Sequence, residues 1–283
     1  MLFPGILITL TIIIITVVIY IFLTMPRVFD SANMDLLATD YAHRGLHTEE
    51  IPENSIAAYK NALDHSFGIE IDVQLSSDGE IFVFHDKSVA RLCGVKKDLT
   101  AMTSEEIKQL RLLGTDEQIP TLNEVLALVD GRVPLLIEIK YYANNEKLCV
   151  ALAETLDNYI GSFAIQSFDP LILRYFKKYR PRFARGQLVG KPQKAKDKSK
   201  KKAEKSKENN PIISFALTHL LLNFLSRPDF ISIQSNHTKE LGFILATEAF
   251  HAKGFIWTVR KEKRHHFFKR QGYFSIFETF IPD

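Results

Sequence analysis

Short apolar runs rich in β-branched and aromatic residues alternate along most of the chain with stretches whose apolar positions recur at helical spacing. The apolar runs fall at 37–43, 68–75, 80–85, 133–140, 162–168, 184–189, 229–234, 254–259 and 273–277. Helix starts are recognisable between them. Ser55 is placed to cap a helix over 56–65, and Thr103 with Glu106 forms a capping box for the next. Helical patterns follow over 121–129, 146–159, 170–179, 239–252 and 261–270. Continuous apolar strands separated by helices predict a mostly parallel α/β sheet covered on both faces. Nine strands across residues 39–283 fit a (β/α)8 TIM-type barrel with one surplus or edge strand. A doubly wound open sheet uses the same units, but no glycine-rich phosphate loop follows the first strand.

The first two dozen residues depart from this alternation. Residues 2–25 carry no charged side chain. At about 1.5 Å per residue, some twenty of them cross a hydrocarbon core about 30 Å thick. A cleavable signal peptide is the competing reading, yet no basic segment precedes the run and no small-residue cleavage site stands before Arg27. Residues 2–25 are therefore expected to be an uncleaved, single-pass transmembrane anchor. Residues 26–38 then read as a juxtamembrane linker and 39–283 as the barrel. No Lys or Arg precedes the span and Arg27 alone closely follows it. That tilts the positive-inside balance toward a cytoplasmic barrel without fixing the side.

Charge changes the picture in one place. The chain of 283 residues has a formal charge of +3. Residues 191–208 hold nine lysines against Asp197, Glu204 and Glu208, a local +6 that leaves the remainder at −3. One Lys-rich insertion, 191–210, thus makes the chain basic, and no nucleic-acid partner is expected. The composition suits a solvated loop between the sixth and seventh strands. Residues 211–225, PIISFALTHLLLNFL, abut it and are strongly apolar. They read either as a core helix or as a flap at the barrel mouth facing an anionic bilayer, which would make membrane lipid a partner. Cys93 and Cys149 lack the spacing of a metal site or a disulfide framework and are expected as unpaired thiols.

Polar residues interrupt the strand pattern at places where a barrel gathers its chemistry. His43, Arg44 and Gly45 end the first strand; Glu70 and Asp72 lie two apart on the second and so point to one side. His85 and Asp86 end the third, and Glu138 with Lys140 repeats the spacing on the fourth. Three buried carboxylates repel one another, and a hard divalent cation, Mg²⁺ or Ca²⁺, relieves that repulsion with all-oxygen ligands. Two imidazoles supply one general base and one general acid. Arg44 and Lys140 add fixed positive charge suited to phosphate oxygens. Together these describe a phosphate-ester site.

The residues AHRG (42–45), PENS (52–55), GIEIDVQLSSDGEIFVFHD (68–86), IPTLNEVL (119–126), LLIEIK (135–140), QSFDP (166–170) and FIWTV (255–259) stand in an order that resembles the glycerophosphodiester phosphodiesterase family. The resemblance implies a phosphodiesterase-type barrel with Glu70, Asp72 and Glu138 as metal ligands and His43 and His85 as the acid/base pair. It further implies that Arg44 and Lys140 contact phosphate, that Trp257 lies near the substrate, and that Glu53 and Asn54 support the site. Two positions depart from the family pattern. Arg260 stands where Asn is common, and SIFETF (275–280) replaces a usual Thr-Asp pair, with Glu278 in that segment.

The expected activity is metal-dependent hydrolysis of glycerophosphodiesters or lysophospholipids, in lipid metabolism. It releases an alcohol headgroup with glycerol 3-phosphate or lysophosphatidic acid. A lipid-binding or regulatory membrane protein that keeps the barrel without turnover is the alternative, and a membrane-surface adaptor acting through its lysines is a third reading.

Overall fold

The computed structural model describes residues 2–27, 34–190 and 211–283, with the backbone alone for residues 2 and 3. The Lys-rich insertion and part of the expected linker lie outside the described residues. Among the described residues nine strands follow in chain order: β1 (Tyr41–Ala42), β2 (Gly68–Leu75), β3 (Ile81–Val83), β4 (Leu135–Ile139), β5 (Phe163–Ser167), β6 (Ala184–Val189), β7 (Phe230–Gln234), β8 (Lys253–Val259) and β9 (Phe274–Phe277). Eight of them form a closed parallel barrel in the order β1-β2-β4-β5-β6-β7-β8-β9, with β1 pairing back onto β9. The expected (β/α)8 architecture is borne out. The surplus strand is β3, which runs antiparallel against the outer half of β2. A hairpin therefore places it, and it forms no barrel stave.

Alternation along each stave separates two cores. Ile69, Ile71 and Val73 of β2, with Ile137 and Ile139 of β4, pack outward against the helices in one large apolar cluster. The opposite positions face the barrel axis. There Tyr41, Leu136, Ala164, Ala184, Leu188, Phe230, Phe255 and Ile276 form a second cluster. Aromatic edges fill its floor, Phe230 to Phe255 at 5.0 Å and Tyr41 to Phe255 at 5.8 Å between ring centroids. Gly186 is required here, since a Cβ on it would lie 2.0 Å from the Phe230 ring. Above this apolar floor the axial positions turn polar: Glu70, Asp72, Gln74, Glu138, Lys140 and Gln166 are all buried. Burying that many polar groups requires partners.

Helix starts obey local chemistry. Ser55, Thr103, Thr121 and Asp169 each accept a main-chain N–H from the first turn, and Thr103 and Thr121 complete full capping boxes. Three segments differ from expectation. Only Tyr41–Ala42 of the 37–43 run is strand, because Met34–Leu37 forms a helical turn that packs Met34 and Leu37 into the barrel floor. The 239–252 pattern gives a short helix, Leu241–Ile244, that widens into π-type turns over Leu245–Ala249. The apolar 211–225 stretch divides. Helix Pro211–Thr218 has no buried residue, with Ile212 75% and Phe215 58% exposed, whereas Leu220 beyond it is buried in the outer core.

The helix Leu2–Thr24 is long and apolar enough to cross a membrane. Its described side chains from Pro4 to Ile19 make no buried contact, but its C-terminal end is clamped to the barrel. Asn223 Nδ2 donates to Thr24 O at 2.9 Å, and Arg227 donates to Phe22 O and Met25 O at 2.8 and 2.9 Å. Arg27 pairs with Asp229 at 3.4 Å. One turn earlier Tyr20 comes within electrostatic reach of Glu240, the partner of His219 at the end of Pro211–Thr218. The apolar N-terminal helix and the exposed helix thus share one flank.

Candidate active site

Parallel pairing of β2 with β4 sets Asp72 beside Glu138 in register, and Glu70 precedes Asp72 on the same face. The ligand oxygens of Glu70, Asp72 and Glu138 all lie within 4.8 Å of one another, and each residue is buried. Burial first, then repulsion by Asp72 and Glu138, drives the Glu70 carboxyl well above the usual carboxylate range. Burial also raises Glu138, against the opposing pull of Lys140. Asp72 behaves differently. Burial would raise it, yet Lys140, His85 and Arg44 together hold it well below its ordinary value. Lys140 Nζ lies 2.8 Å from Asp72 Oδ1 and also donates to Glu138 Oε1. A buried all-oxygen cluster with this much mutual repulsion could hold a hard divalent cation. The residues fit such an ion.

Neighbouring loops bring the other groups. Arg44 takes a left-handed backbone (φ 59°), which turns its N–H onto Glu70 Oε2 at 3.0 Å. Its guanidinium donates to Glu53 at 2.6 Å and lies 3.5 Å from Asp72. Asn54 Nδ2 donates to Asp72 Oδ2 at 2.9 Å and is itself fixed by the Tyr59 hydroxyl at 2.8 Å. The β2–β3 hairpin folds back so that Phe84 N donates to Asp72 O, which returns His85 to the level of the carboxylates. His85 Nδ1 donates to Asp86 at 2.7 Å, and His43 Nδ1 donates to Glu278 at 2.5 Å. Because carboxylates only accept, both imidazoles keep Nε2 unprotonated when neutral. Burial, then the Lys140 charge, lowers His85 to about 4, and burial with Arg44 lowers His43. Each is therefore held as the neutral imidazole.

The sequence model of the glycerophosphoryl diester phosphodiesterase family matches residues 43–281, nearly the whole barrel. The chain belongs to that family. It is 39% identical over 162 residues to a glycerophosphodiester phosphodiesterase of Caldanaerobacter subterraneus, covering 52% of this chain and 65% of that protein. Over 113 residues it is 31% identical to human glycerophosphodiester phosphodiesterase 1, covering 36% of this chain and 34% of that one. The chain thus aligns with less than two thirds of the length of these relatives. Among solved structures, a phosphodiesterase of Oleispira antarctica in complex with the product sn-glycerol-3-phosphate superposes with a TM-score of 0.69 at 23% identity, over 87% of this chain and 95% of that one. A glycerophosphodiester phosphodiesterase of Parabacteroides distasonis gives 0.63 at 19%, over 88% and 92%. At such identities the likeness carries the fold.

Within this phosphodiesterase barrel, Glu70, Asp72, Glu138, Lys140, Arg44 and Asn54 converge on one cluster, and His85 adjoins it. Trp257 sits on the axial face of β8, where its indole N–H donates to Ser232 O at 3.1 Å and its ring meets Phe168 edge-on at 5.6 Å. Lys140, expected at phosphate, is tied to two carboxylates. Glu53, expected as a support, is a charged bridge: Arg44 and Arg91 both donate to it. Sequence reasoning missed Arg91, which links Glu53 to Asp86, and missed Tyr142, whose hydroxyl donates to His85 O. It registered Glu278 only as a departure, although the carboxyl end of a barrel stave is where a functional side chain is expected.

Proposed function

We propose that the protein is a metal-dependent glycerophosphodiester phosphodiesterase, held at a membrane by helix Leu2–Thr24, that also hydrolyses lysophospholipids. The observation that carries the reading is the buried Glu70, Asp72 and Glu138 cluster adjoined by carboxylate-held imidazoles. A divalent cation, Mg²⁺ or Ca²⁺, held by these three carboxylates would supply charge neutralisation of the phosphodiester and Lewis acidity. The product complex of the Oleispira antarctica enzyme agrees with a glycerol-phosphate substrate.

The chain's own residues account for the proton inventory. One of His43 and His85 accepts the proton of the attacking oxygen as its bond to phosphorus forms. The other gives a proton to the alcohol oxygen as the phosphorus–oxygen bond to the headgroup breaks. A bound phosphodiester anion favours protonation of the donor imidazole. Arg44 offers planar donors to phosphate oxygens, Lys140 offsets carboxylate charge, and Trp257 borders the glycerol side. The attacking oxygen is water or a neighbouring hydroxyl of the substrate, which would give a cyclic phosphate first.

The lysophospholipid reading draws support from the shared flank of the apolar N-terminal helix and exposed helix Pro211–Thr218, with the Lys-rich insertion directly before it in sequence. The deciding experiment measures headgroup release from glycerophosphocholine and lysophosphatidylcholine, with Mg²⁺, with Ca²⁺ and with chelator. Metal-stimulated choline release that disappears in Glu70→Ala is expected. No release from either substrate would favour a barrel kept for lipid binding.

A further inference from the structure

Strand closure delivers a carboxylate to His43 from the far end of the chain. His43 follows β1 and Glu278 follows β9, and the pairing of these strands continues as His43 N donates to Phe277 O at 2.9 Å. Glu278 N donates to Val259 O at 3.0 Å, which fixes the residue to β8 as well. Its side chain then accepts from His43 Nδ1 at 2.5 Å through Oε2, while Oε1 accepts from Arg260 Nε. His47 Nε2 stands 3.9 Å from the same carboxylate. The imidazole and the carboxylate are nearly enclosed, with side chains 10% and 12% exposed, and Arg260 closes the group from the solvent side at 51%. The two positions at which the sequence departs from the family pattern are therefore partners of each other, and their common object is His43.

An imidazole with a free Nδ1 rotates and exchanges tautomers. One whose Nδ1–H is committed to an anchored carboxylate does neither, and it presents the lone pair on Nε2. We propose that Glu278 is a positioning residue for His43, held in turn by Arg260, which fixes the Nδ1–H tautomer and the ring plane for proton transfer through Nε2. The inference rests on the phosphodiesterase reading above. Glu278 is also a geometric candidate for a second cation site, since its oxygen lies within 4.8 Å of ligand atoms of His43 and His47. The Arg260 guanidinium on the same carboxylate opposes a cation there.

The test uses the full-length protein in detergent, labelled with ¹⁵N-histidine, with His43 assigned by comparison with His43→Ala. In the wild type the His43 spectrum should show a protonated Nδ1 and a bare Nε2. Glu278→Ala should shift the ring toward the Nε2–H form and lower kcat about 10²-fold with little change in KM. Glu278→Gln, which preserves shape, should lose less and should move the His43 limb of the kcat/KM profile to lower pH. The anionic neighbour that favours the imidazolium is then gone, while Arg44 and Asp72, the other charges acting on His43, are unchanged. Arg260→Ala should cost about tenfold alone and nothing further in the Glu278→Ala background. An active wild type with an unchanged His43 tautomer and kcat in Glu278→Ala would overturn the inference. So would recovery of that variant by excess divalent cation. An inactive wild type whose His43 tautomer depends on Glu278 would refute the phosphodiesterase reading and leave the positioning contact standing.

Discussion

Asn223 donates its side-chain amide to the main-chain carbonyl of Thr24 at 2.9 Å, across 199 residues of chain. Helix C-termini leave carbonyls without intrahelical partners, and here the barrel wall supplies the donors. Arg227 adds two more bonds and stacks over the Phe22 ring with its guanidinium carbon 4.7 Å from the centroid. The apolar helix therefore joins the barrel through a built contact. Asn223→Ala and Arg227→Ala should each destabilise this junction by about 1 kcal/mol. Limited proteolysis between residues 25 and 34 would read the effect as faster cleavage with the barrel fragment intact. Cleavage at the wild-type rate in the double variant would show the contact to be unimportant.

The carboxylate cluster predicts a steep requirement for a cation. Glu70→Gln, Asp72→Asn and Glu138→Gln should each lower turnover more than about 10²-fold, and a chelator should reproduce the loss in the wild type. Isothermal titration with Mg²⁺ or Ca²⁺ should show weakened binding in all three variants. Full activity in excess EDTA would contradict the assignment.

Proton transfer is checked at the two imidazoles. His43→Ala and His85→Ala should each lose roughly 10²–10⁴-fold in kcat while metal affinity changes far less. A substrate with a poor leaving alcohol makes the comparison sharp, because it needs the acid as well as the base. Near-wild-type turnover of such a substrate in either variant would make that histidine a structural residue.

Glu53 gives a prediction in pH. Burial alone would raise its carboxyl, but Arg91 and Arg44 outweigh burial and bring it to about 2 from an ordinary 4.5. A carboxylate depressed in the folded state contributes stability that is complete above pH 4.5 and is lost as pH falls toward 2. The contribution is on the order of 3 kcal/mol. Urea unfolding of Glu53→Gln should show lower stability at neutral pH and a flatter decline across that window. Parallel curves for the two proteins would deny Glu53 this role.

On the proposed lysophospholipid reading, substrate preference should depend on the helix Pro211–Thr218. Leu221, Leu222 and Phe224 follow this helix and lie half-buried, with Phe224 6.1 Å from Phe22 of the N-terminal helix between centroids, so their replacement would also test packing. The exposed Ile212, Ile213 and Phe215 face solvent. Replacing these three by Ser should depress lysophosphatidylcholine turnover at least tenfold in vesicles and leave glycerophosphocholine turnover nearly unchanged. Equal rates on both substrates would remove the lipid role of this helix.

Period and local chemistry were enough to read most of the fold. Apolar runs of strand length between capped helices specify a parallel sheet covered on both faces, the missing glycine-rich phosphate loop favours its closure into a barrel, and capping boxes such as Thr121 with Glu124 act within one turn. Alternation likewise placed Glu70 and Asp72 on one face, since side chains on a strand have a period of two. Partnerships between distant segments were closed to that reading. The β3 hairpin reversal that returns His85, the Arg91 bridge to Glu53 and Asp86, the Asn223 clamp on Thr24 and the Glu278 contact to His43 join groups separated by up to 235 residues. The last of these depends on barrel closure, which brings β9 against β1. Only the tertiary structure decides which carboxylate meets which imidazole, because that choice is made in space by strand register and leaves no period in the chain.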